Sequence, residues 1–214
     1  MAIFERIADC IVNMDEDSIG KLMKEAVETE GLDMKRLFTE GLDAGLIQAI
    51  EQYDRHIYDI PELIVCADTM NKGIAVLRQL GIHEDKDKGR ILLAVVAGDT
   101  HEIGKNIVKI MLEAAGYDVL DFGVNRTVDD IIEAARENHC QIIALSSMMT
   151  TTRGGMKQLI DRISSMRLEE KPLVIVGGGS VTQNYALEIG SDGYASNVPN
   201  AVKLVRQLLG GDSQ

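Results

Sequence analysis

The chain has 214 residues, a formal net charge of -12 and a sequence pI of about 4.8. This acidic balance argues against nucleic-acid partners, whose phosphates demand clustered Lys and Arg, and against an anionic membrane surface. There is no apolar run of about 18 residues to cross a membrane and no secretory signal. The three cysteines, Cys10, Cys66 and Cys140, lie far apart and without ligand-like spacing, so we expect a reduced, cytoplasmic protein.

Up to residue 80 the apolar residues recur with a helical period, which predicts four amphipathic helices in a small antiparallel bundle. The second helix is expected to stop at Gly31. The fourth opens at Ile60-Pro61-Glu62, because proline suits the first helical position. The predicted apolar faces include Phe4, Ile7 and Ile11; Ile19, Leu22 and Met23; Met34, Leu37 and Leu42; and Leu63, Met70 and Ile74.

Residues 81–90 are polar and charged and form the best candidate for a domain boundary. We therefore predict a helical domain at 1–88 and a second domain at 89–214. The charged segment between them is a candidate hinge.

From residue 91 onward, short apolar runs alternate with helical stretches. The runs lie at 91–97, 118–122, 141–146, 173–176 and 193–195, and the helical stretches at 104–115, 128–138, 154–165, 182–189 and 200–209. This alternation predicts a parallel sheet covered by helices on both faces. Five such strands fit an α/β flavodoxin-like, Rossmann-type doubly wound domain.

The segment after the first run reads Gly98-Asp99-Thr100-His101-Glu102-Ile103-Gly104. Ligands bind at the carboxyl edge of a parallel sheet, where His101 can ligate a metal while Asp99 fixes its tautomer. The glycine spacing excludes a phosphate-binding loop, and Lys105 stands where a zinc protease helix needs its second His. A loop histidine beside a capping aspartate is the alternative.

Two other strand ends carry groups that suit a polar ligand. Hydroxyl residues follow the third strand from Ser146 to Thr152, and the fourth strand ends in Gly177-Gly178-Gly179. The hydroxyls also suit turns and helix caps, and the glycines also suit a flexible loop. A receiver domain would need an aspartate at Ser146, and the scarcity of aromatic residues weakens a flavin site.

Together and in this order, the patterns Asp-x-His-x-x-Gly, Ser-x-(Leu or Met) and Gly-Gly resemble the cobalamin-binding domain of corrinoid proteins. In the helical half, residues 61–63, Met70 and Gly73 resemble the four-helix cap that precedes this domain. Such caps occur in methionine synthase and in the corrinoid proteins of methylamine, methanol and glycine-betaine methyltransferases. The resemblance covers essentially the whole chain.

The resemblance implies cobalamin as the cofactor, cycling between methylcobalamin and cob(I)alamin. His101 would be the lower cobalt ligand, Asp99 would accept a hydrogen bond from its other ring nitrogen, and Thr152 would extend this catalytic relay, where methionine synthase has Ser. The implied cofactor-binding residues are Gly98, Asp99, Thr100, His101, Glu102, Ile103, Gly104, Ser146, Met148, Thr150, Gly177, Gly178, Gly179, Tyr194, Ala195, Ser196 and Asn197.

Individual roles follow from the same resemblance. Ser146 would bond the displaced benzimidazole, and Thr150 would lie beside the corrin. The glycines at 104 and 177–179 would leave room for the nucleotide tail, and the segment 194–197 would close that pocket.

In function, the chain resembles a methyl carrier without its own methyltransferase barrel, which takes about 250 residues. The implied partners are a substrate-specific methyltransferase, a second methyltransferase to tetrahydrofolate or coenzyme M, and a reductive activator. Methylamines, quaternary amines, methanol and aryl methyl ethers are the candidate donors. Two alternatives remain: a cobalamin-binding sensor module without methyl transfer, and a flavodoxin-like domain that binds no corrinoid.

Overall fold

The computed structural model of the chain describes residues 2–29, 36–81, 88–166 and 171–210. Its contacts divide the chain into two compact units. The first comprises Met1–Asp85 with Ala114–Gly116, and the second comprises Lys86–Glu113 with Tyr117–Gln214. Residues 82–87 of the predicted linker lie outside the described residues, so its role as a hinge stays a prediction.

The first unit is helical throughout the elements that the structure describes, as predicted. These are α1 (Ile3–Val12), α2 (Glu16–Glu28), α3 (π-helical over Leu37–Asp43, then α-helical over Ala44–Asp54) and α4 (Ile60–Gln79). The predicted stop at Gly31 and the predicted start of the third helix at Met34 both lie outside the described residues. Ile7, Met23, Leu46 and Met70 are fully buried, which places the predicted apolar faces in the core of the unit.

The start of α4 shows how the local sequence sets a helix end. The Glu62 carboxylate accepts a hydrogen bond from the Asp59 N–H at 3.0 Å, and Pro61 occupies the first turn. Further along α4, Gly73 allows α2 to approach closely, because a Cβ there would lie 3.0 Å from Ile19 Cγ1.

The second unit alternates strands and helices. Its elements are β1 (Arg90–Val96), α5 (Ile103–Ala114), β2 (Asp118–Arg126), α6 (Val128–Glu137), β3 (Ile142–Ser146), α7 (Gly154–Ser165), β4 (Leu173–Gly177), α8 (Gln183–Ile189), β5 (Gly193–Ala195) and α9 (Val198–Leu208). All pairings are parallel and the strand order is β2-β1-β3-β4-β5. This is the flavodoxin-like order, which confirms the predicted fold.

The two faces of the sheet carry alternate side chains of each strand. Leu92, Ile143 and Val174 face one core cluster, which is completed by side chains of α6, α7 and α8. Leu93, Ala144 and Ile175 face the opposite side, where they line a cavity together with α5 and α9. No helix in the described part of the chain is long and apolar enough to cross a membrane.

Candidate functional site

The site begins where β1 ends. Gly98 has a φ of 82°, a left-handed conformation that glycine adopts without strain, and it turns the chain toward Asp99. Asn125, at the end of β2, braces this turn: its Oδ1 accepts from the Gly98 N–H at 2.7 Å, and its N–H donates to the Asp99 carbonyl at 3.0 Å. Asn125 was not predicted from the sequence, because its position depends on the pairing of β2 with β1.

Asp99 and His101 form the pair that their spacing predicted. Asp99 Oδ1 accepts from the His101 backbone N–H at 3.0 Å and lies 2.7 Å from His101 Nδ1. Asp99 is fully buried, whereas the His101 side chain is 56% exposed. Since the carboxylate can only accept, Nδ1 carries the ring proton, and Nε2 is left with a lone pair that faces away from Asp99.

The second oxygen of Asp99 is held by the segment that follows β3. Oδ2 accepts from the Met148 N–H at 2.7 Å and lies 3.2 Å from Ser147 Oγ and 3.3 Å from Thr152 Oγ1. The two hydroxyl oxygens are 2.9 Å apart. Thr152 therefore contacts Asp99, as the resemblance implied, and its catalytic role stays a prediction. Ser147 is a second hydroxyl at Asp99 that was not predicted.

These contacts fix the charge of Asp99. Burial raises the pKa of its carboxyl, but the hydrogen bonds from the His101 backbone and ring, the Met148 N–H and the Ser147 hydroxyl lower it by more. The pKa of Asp99 is thus held well below its usual range, and the group is a carboxylate at neutral pH.

The glycine run after β4 allows the two neighbouring loops to touch. Gly178 has a φ of 103°, and a Cβ there would lie 2.3 Å from the Ser147 carbonyl oxygen, so only glycine fits. A Cβ on Gly177 would lie 2.9 Å from the Ala195 carbonyl oxygen. The Gly179 N–H donates to Met148 Sδ at 3.1 Å, which holds the half-exposed Met148 side chain over the loop.

A cavity of about 200 Å³ opens beside His101, between the sheet, α5 and α9. Strand pairing places Ser146, Gly177 and Ala195 side by side along its floor. Of the predicted cofactor-binding residues, the cavity is lined by His101, Gly104, Ser146, Met148, Gly177, Gly178, Gly179, Ala195, Ser196 and Asn197. Most of its remaining lining is apolar and comes from the strands, α5 and α9.

Lys105 also lines this cavity, although its side chain is only 1% exposed. Its Nζ donates to Asp121 Oδ1 at 2.5 Å and to Asn106 Oδ1 at 2.7 Å, so the buried ammonium is paired. Burial raises the pKa of Asp121, while Lys105 and the Gly123 N–H lower it by more. Sequence reasoning used Lys105 only to exclude a zinc motif and missed this ion pair.

Tyr194 is not among the residues that line the cavity, and its contact with a cofactor stays a prediction. Successive residues of a strand point to opposite faces, so when Ala195 lines the cavity, Tyr194 packs against the core on the other side. Its hydroxyl donates to the Val181 carbonyl at 3.1 Å.

Other predicted residues lie on the surface of the second unit, outside the cavity lining. Thr100, Glu102, Thr150 and Ile103 are exposed, Ile103 by 78%. Any contact of these four side chains with a cofactor stays a prediction.

No group of three or more His, Cys, Asp or Glu side chains that could hold a metal ion occurs among the residues that the structure describes.

Comparison with known families gives two matches on this chain. The model described as "B12 binding domain" matches residues 89–203, and a second model with the same description matches residues 3–78. Between them they span both the helical unit and the sheet unit.

The curated relatives are similar over their full length. A corrinoid protein of Desulfitobacterium hafniense (strain Y51) is 34% identical over 98% of this chain and 99% of its own. The dimethylamine corrinoid protein of Methanosarcina barkeri is 34% identical over 97% of both chains. The trimethylamine corrinoid protein 1 of Methanosarcina acetivorans is 32% identical over 97% of both.

Solved structures agree with these matches. A cobalamin-binding protein from Desulfitobacterium hafniense DCB-2 superposes with a TM-score of 0.82 at 26% identity and covers 95% of this chain and 97% of its own. A chain of the methanol:cobalamin methyltransferase complex MtaBC from Methanosarcina barkeri gives 0.80 at 28% identity, over 99% of this chain and 81% of its own.

Proposed function

Because this chain belongs to the family of corrinoid proteins with a B12 binding domain, we infer that it carries a methyl group on cobalamin between two methyltransferases. The observation that carries this inference is the Asp99–His101 pair, with Nε2 free beside a cavity at the carboxyl edge of the sheet. The match at both units extends the likeness to the whole chain.

The residues present fit a corrinoid. His101 offers one ring nitrogen, Nε2, to a metal beside the cavity. The glycines at 177–179 line the cavity without side chains, and a Cβ on Gly177 or Gly178 would collide with a backbone oxygen of a neighbouring segment. Apolar side chains such as Val108 and Ile175 suit the body of a tail group.

When bound, cobalamin supplies a cobalt centre that accepts a methyl group and gives it up again. The protein holds the ligand for that centre: Asp99 keeps the ring proton of His101 on Nδ1 and stabilises positive charge on the ring. Asp99 stays ionised at neutral pH, so its carboxylate would accept from His101 Nδ1 whether or not Nε2 holds a metal.

We assign the three implied partners to this chain as proposals: a substrate-specific methyltransferase, a second methyltransferase to tetrahydrofolate or coenzyme M, and a reductive activator. The MtaBC complex supports the first, since its corrinoid chain resembles this one and is held with a methyltransferase. Dimethylamine and trimethylamine lead the candidate donors, because relatives at 32–34% identity carry those names. Three free cysteines support the cytoplasm as the place of action.

A sensor role is the competing proposal. Relatives covered over 97% of their length are named dimethylamine or trimethylamine corrinoid proteins, and a chain of a methanol:cobalamin methyltransferase complex is covered over 81% of its own, which favours the carrier.

The test is transfer of a labelled methyl group. The cobalamin-loaded protein is reduced and incubated with a methylamine or methanol methyltransferase and its deuterated substrate, together with a second methyltransferase and its acceptor, tetrahydrofolate or coenzyme M. We expect label to reach tetrahydrofolate or coenzyme M only when this chain is present, with His139→Asn, an exposed histidine far from the cavity lining, behaving as wild type. Stable cobalamin binding without any transfer would favour the sensor.

A further inference from the structure

Ser147 occupies the centre of the hydrogen-bond network behind His101. Its side chain is fully buried, and its hydroxyl lies within 3.2 Å of three oxygens: Asp99 Oδ2, the Met149 carbonyl and Thr152 Oγ1. The residue directly before it, Ser146, lines the cavity instead. Ser147 is thus the serine that faces the carboxylate.

Proton counting shows why two hydroxyls matter here. Ser147 and Thr152 each carry one hydroxyl proton, and each is within reach of the same two acceptors, Asp99 Oδ2 and the Met149 carbonyl. One hydroxyl can satisfy the carboxylate while the other satisfies the carbonyl. With a single hydroxyl, one of the two acceptors loses its hydroxyl donor and keeps only backbone donors, the Met148 N–H at Asp99 Oδ2 or the N–H groups of Thr152 and Arg153 at the Met149 carbonyl.

The backbone of Ser147 is fixed by the glycine loop that lines the cavity. Its N–H donates to the Gly177 carbonyl at 3.1 Å, and its carbonyl accepts from the N–H and the hydroxyl of Ser180 at 3.3 and 3.0 Å. The bare Cα of Gly178 lets the two loops approach. The hydroxyl is therefore presented to Asp99 from a rigid position.

We propose that Ser147 is a positioning residue for cobalt ligation: with Thr152 it forms a two-hydroxyl clamp on Asp99 Oδ2, which aims Oδ1 at His101 Nδ1. Either hydroxyl alone can reach the carboxylate, so the loss of one hydroxyl weakens the orientation of His101 without abolishing it. Through Gly177, Gly178 and Ser180 it also ties the orientation of His101 to the loop that lines the cavity. This proposal rests on the proposed function, because it assigns His101 to cobalt.

The test uses Ser147 variants of the full chain, made both in the wild-type protein and in the Thr152→Val variant. Ser147→Ala removes the hydroxyl, and Ser147→Cys keeps most of the volume but offers only a weak donor. Thr152→Val removes the other hydroxyl at constant shape, and Thr152→Ser keeps it. Ser191→Ala is the matched control, because its hydroxyl bonds the carbonyls of Ala186 and Gly193, away from Asp99.

Two readouts separate this proposal from the proposed function. In the protein without cofactor, ¹⁵N NMR of the histidine rings gives the fraction of neutral His101 that carries its proton on Nδ1. After loading with hydroxocobalamin and reduction to the cobalt(II) state, the electron paramagnetic resonance spectrum shows nitrogen splitting from a coordinated imidazole and gives the His-coordinated fraction.

We expect each single loss of a hydroxyl to lower the ratio of His-coordinated to His-free cobalt on the order of threefold, and the double variant on the order of thirtyfold. The Nδ1-protonated fraction should fall in the same order. Thr152→Ser should restore most of what Thr152→Val loses, and Ser191→Ala should match wild type.

The clamp would be overturned if Ser147→Ala changed neither the Nδ1-protonated fraction nor the His-coordinated fraction, in wild type and in Thr152→Val alike. Failure of both Ser147 variants to fold would also overturn it, since the residue would then be structural. If wild type retains no cobalamin, the proposed function fails, and the NMR readout still decides whether Ser147 positions His101.

Discussion

At the scale of single residues, the site depends on one buried carboxylate with both oxygens occupied. Asp99 Oδ1 serves His101, and Oδ2 serves the Met148 N–H and the hydroxyl pair. A carboxylate held in this way keeps its charge and its orientation together. His101 thereby has a defined tautomer before any ligand reaches its free nitrogen.

The low pKa of Asp99 predicts a pH-dependent stability. Because its folded pKa lies below the unfolded value of about 3.9, its contribution is complete above that pH and is lost as pH falls through the folded pKa. We expect Asp99→Asn to reduce the free energy of unfolding of the cofactor-free protein by about 2 kcal/mol at pH 7. The difference in the free energy of unfolding between wild type and Asp99→Asn should be smaller at pH 3 than at pH 7. Urea unfolding at the two pH values measures it.

Asp161→Asn is the control for that series, because its carboxylate is 61% exposed and pairs with Lys157 at the surface. It should differ little from wild type at either pH. A gap for Asp99→Asn that stays constant between pH 7 and pH 3 would contradict the assigned charge state.

The sequence predicted the Asp99 side of this network but not the Ser147 side. Asp99 and His101 are two residues apart, so their contact is local and follows from the motif. Ser147 reaches Asp99 from 48 residues away, and whether Ser146 or Ser147 faces it is decided by a shift of one residue at the end of β3. No spacing rule within one chain segment contains that information.

At the scale of elements, α5 is fixed to the sheet edge by an ion pair. Lys105, in the first turn of α5, pairs with Asp121 on β2, and Lys109 lies 3.6 Å from the other oxygen of that carboxylate. The pair anchors the helix that begins two residues after His101. The orientation of α5, which lines the cavity, thus depends on a contact with the outermost strand.

The buried pair predicts an asymmetric response to mutation. Asp121→Asn leaves the Lys105 ammonium buried without a countercharge, so we expect a loss of about 3 kcal/mol in the free energy of unfolding. Lys105→Met removes the charge and keeps the apolar stem, and should cost about 1 kcal/mol. Urea unfolding measures both losses, provided that the slope of the free energy of unfolding against urea concentration is the same in all variants.

Lys109→Met is the matched control, because this lysine is 34% exposed and its loss leaves the buried pair intact. It should change stability by less than about 0.5 kcal/mol. If Asp121→Asn and Lys105→Met lowered the free energy of unfolding equally, the Lys105 ammonium would not be desolvated, and the prediction would be wrong.

The order of elements follows closely from the sequence, whereas their details do not. Every predicted strand of the sheet is present, but β2 runs on to Arg126 through irregularities in its pairing with β1, which alternation of apolar residues does not reveal. The π-helical segment of α3 at Leu37–Asp43 was not predicted either. Over seven residues, the spacing of apolar side chains does not distinguish a π-helix from an α-helix.

At the scale of the whole molecule, a helical unit and a sheet unit share one acidic chain with a net charge of -12. An acidic carrier suits partners that present basic docking surfaces, and such encounters are fast and reversible. In the proposed function, His101 of the sheet unit is the side chain that would bind cobalt. Whether His101 ligates the cobalt of a bound corrinoid therefore decides that function.

The most direct measurement is the visible absorption spectrum of the purified protein after mixing with hydroxocobalamin and desalting. We expect wild type and His139→Asn to retain cobalamin with the benzimidazole displaced and a histidine on cobalt. His101→Ala should lose that coordination signature. If the folded wild type retains no cobalamin, or if His101→Ala shows the same spectrum as wild type, the account is contradicted and the Asp99–His101 pair is a loop contact only.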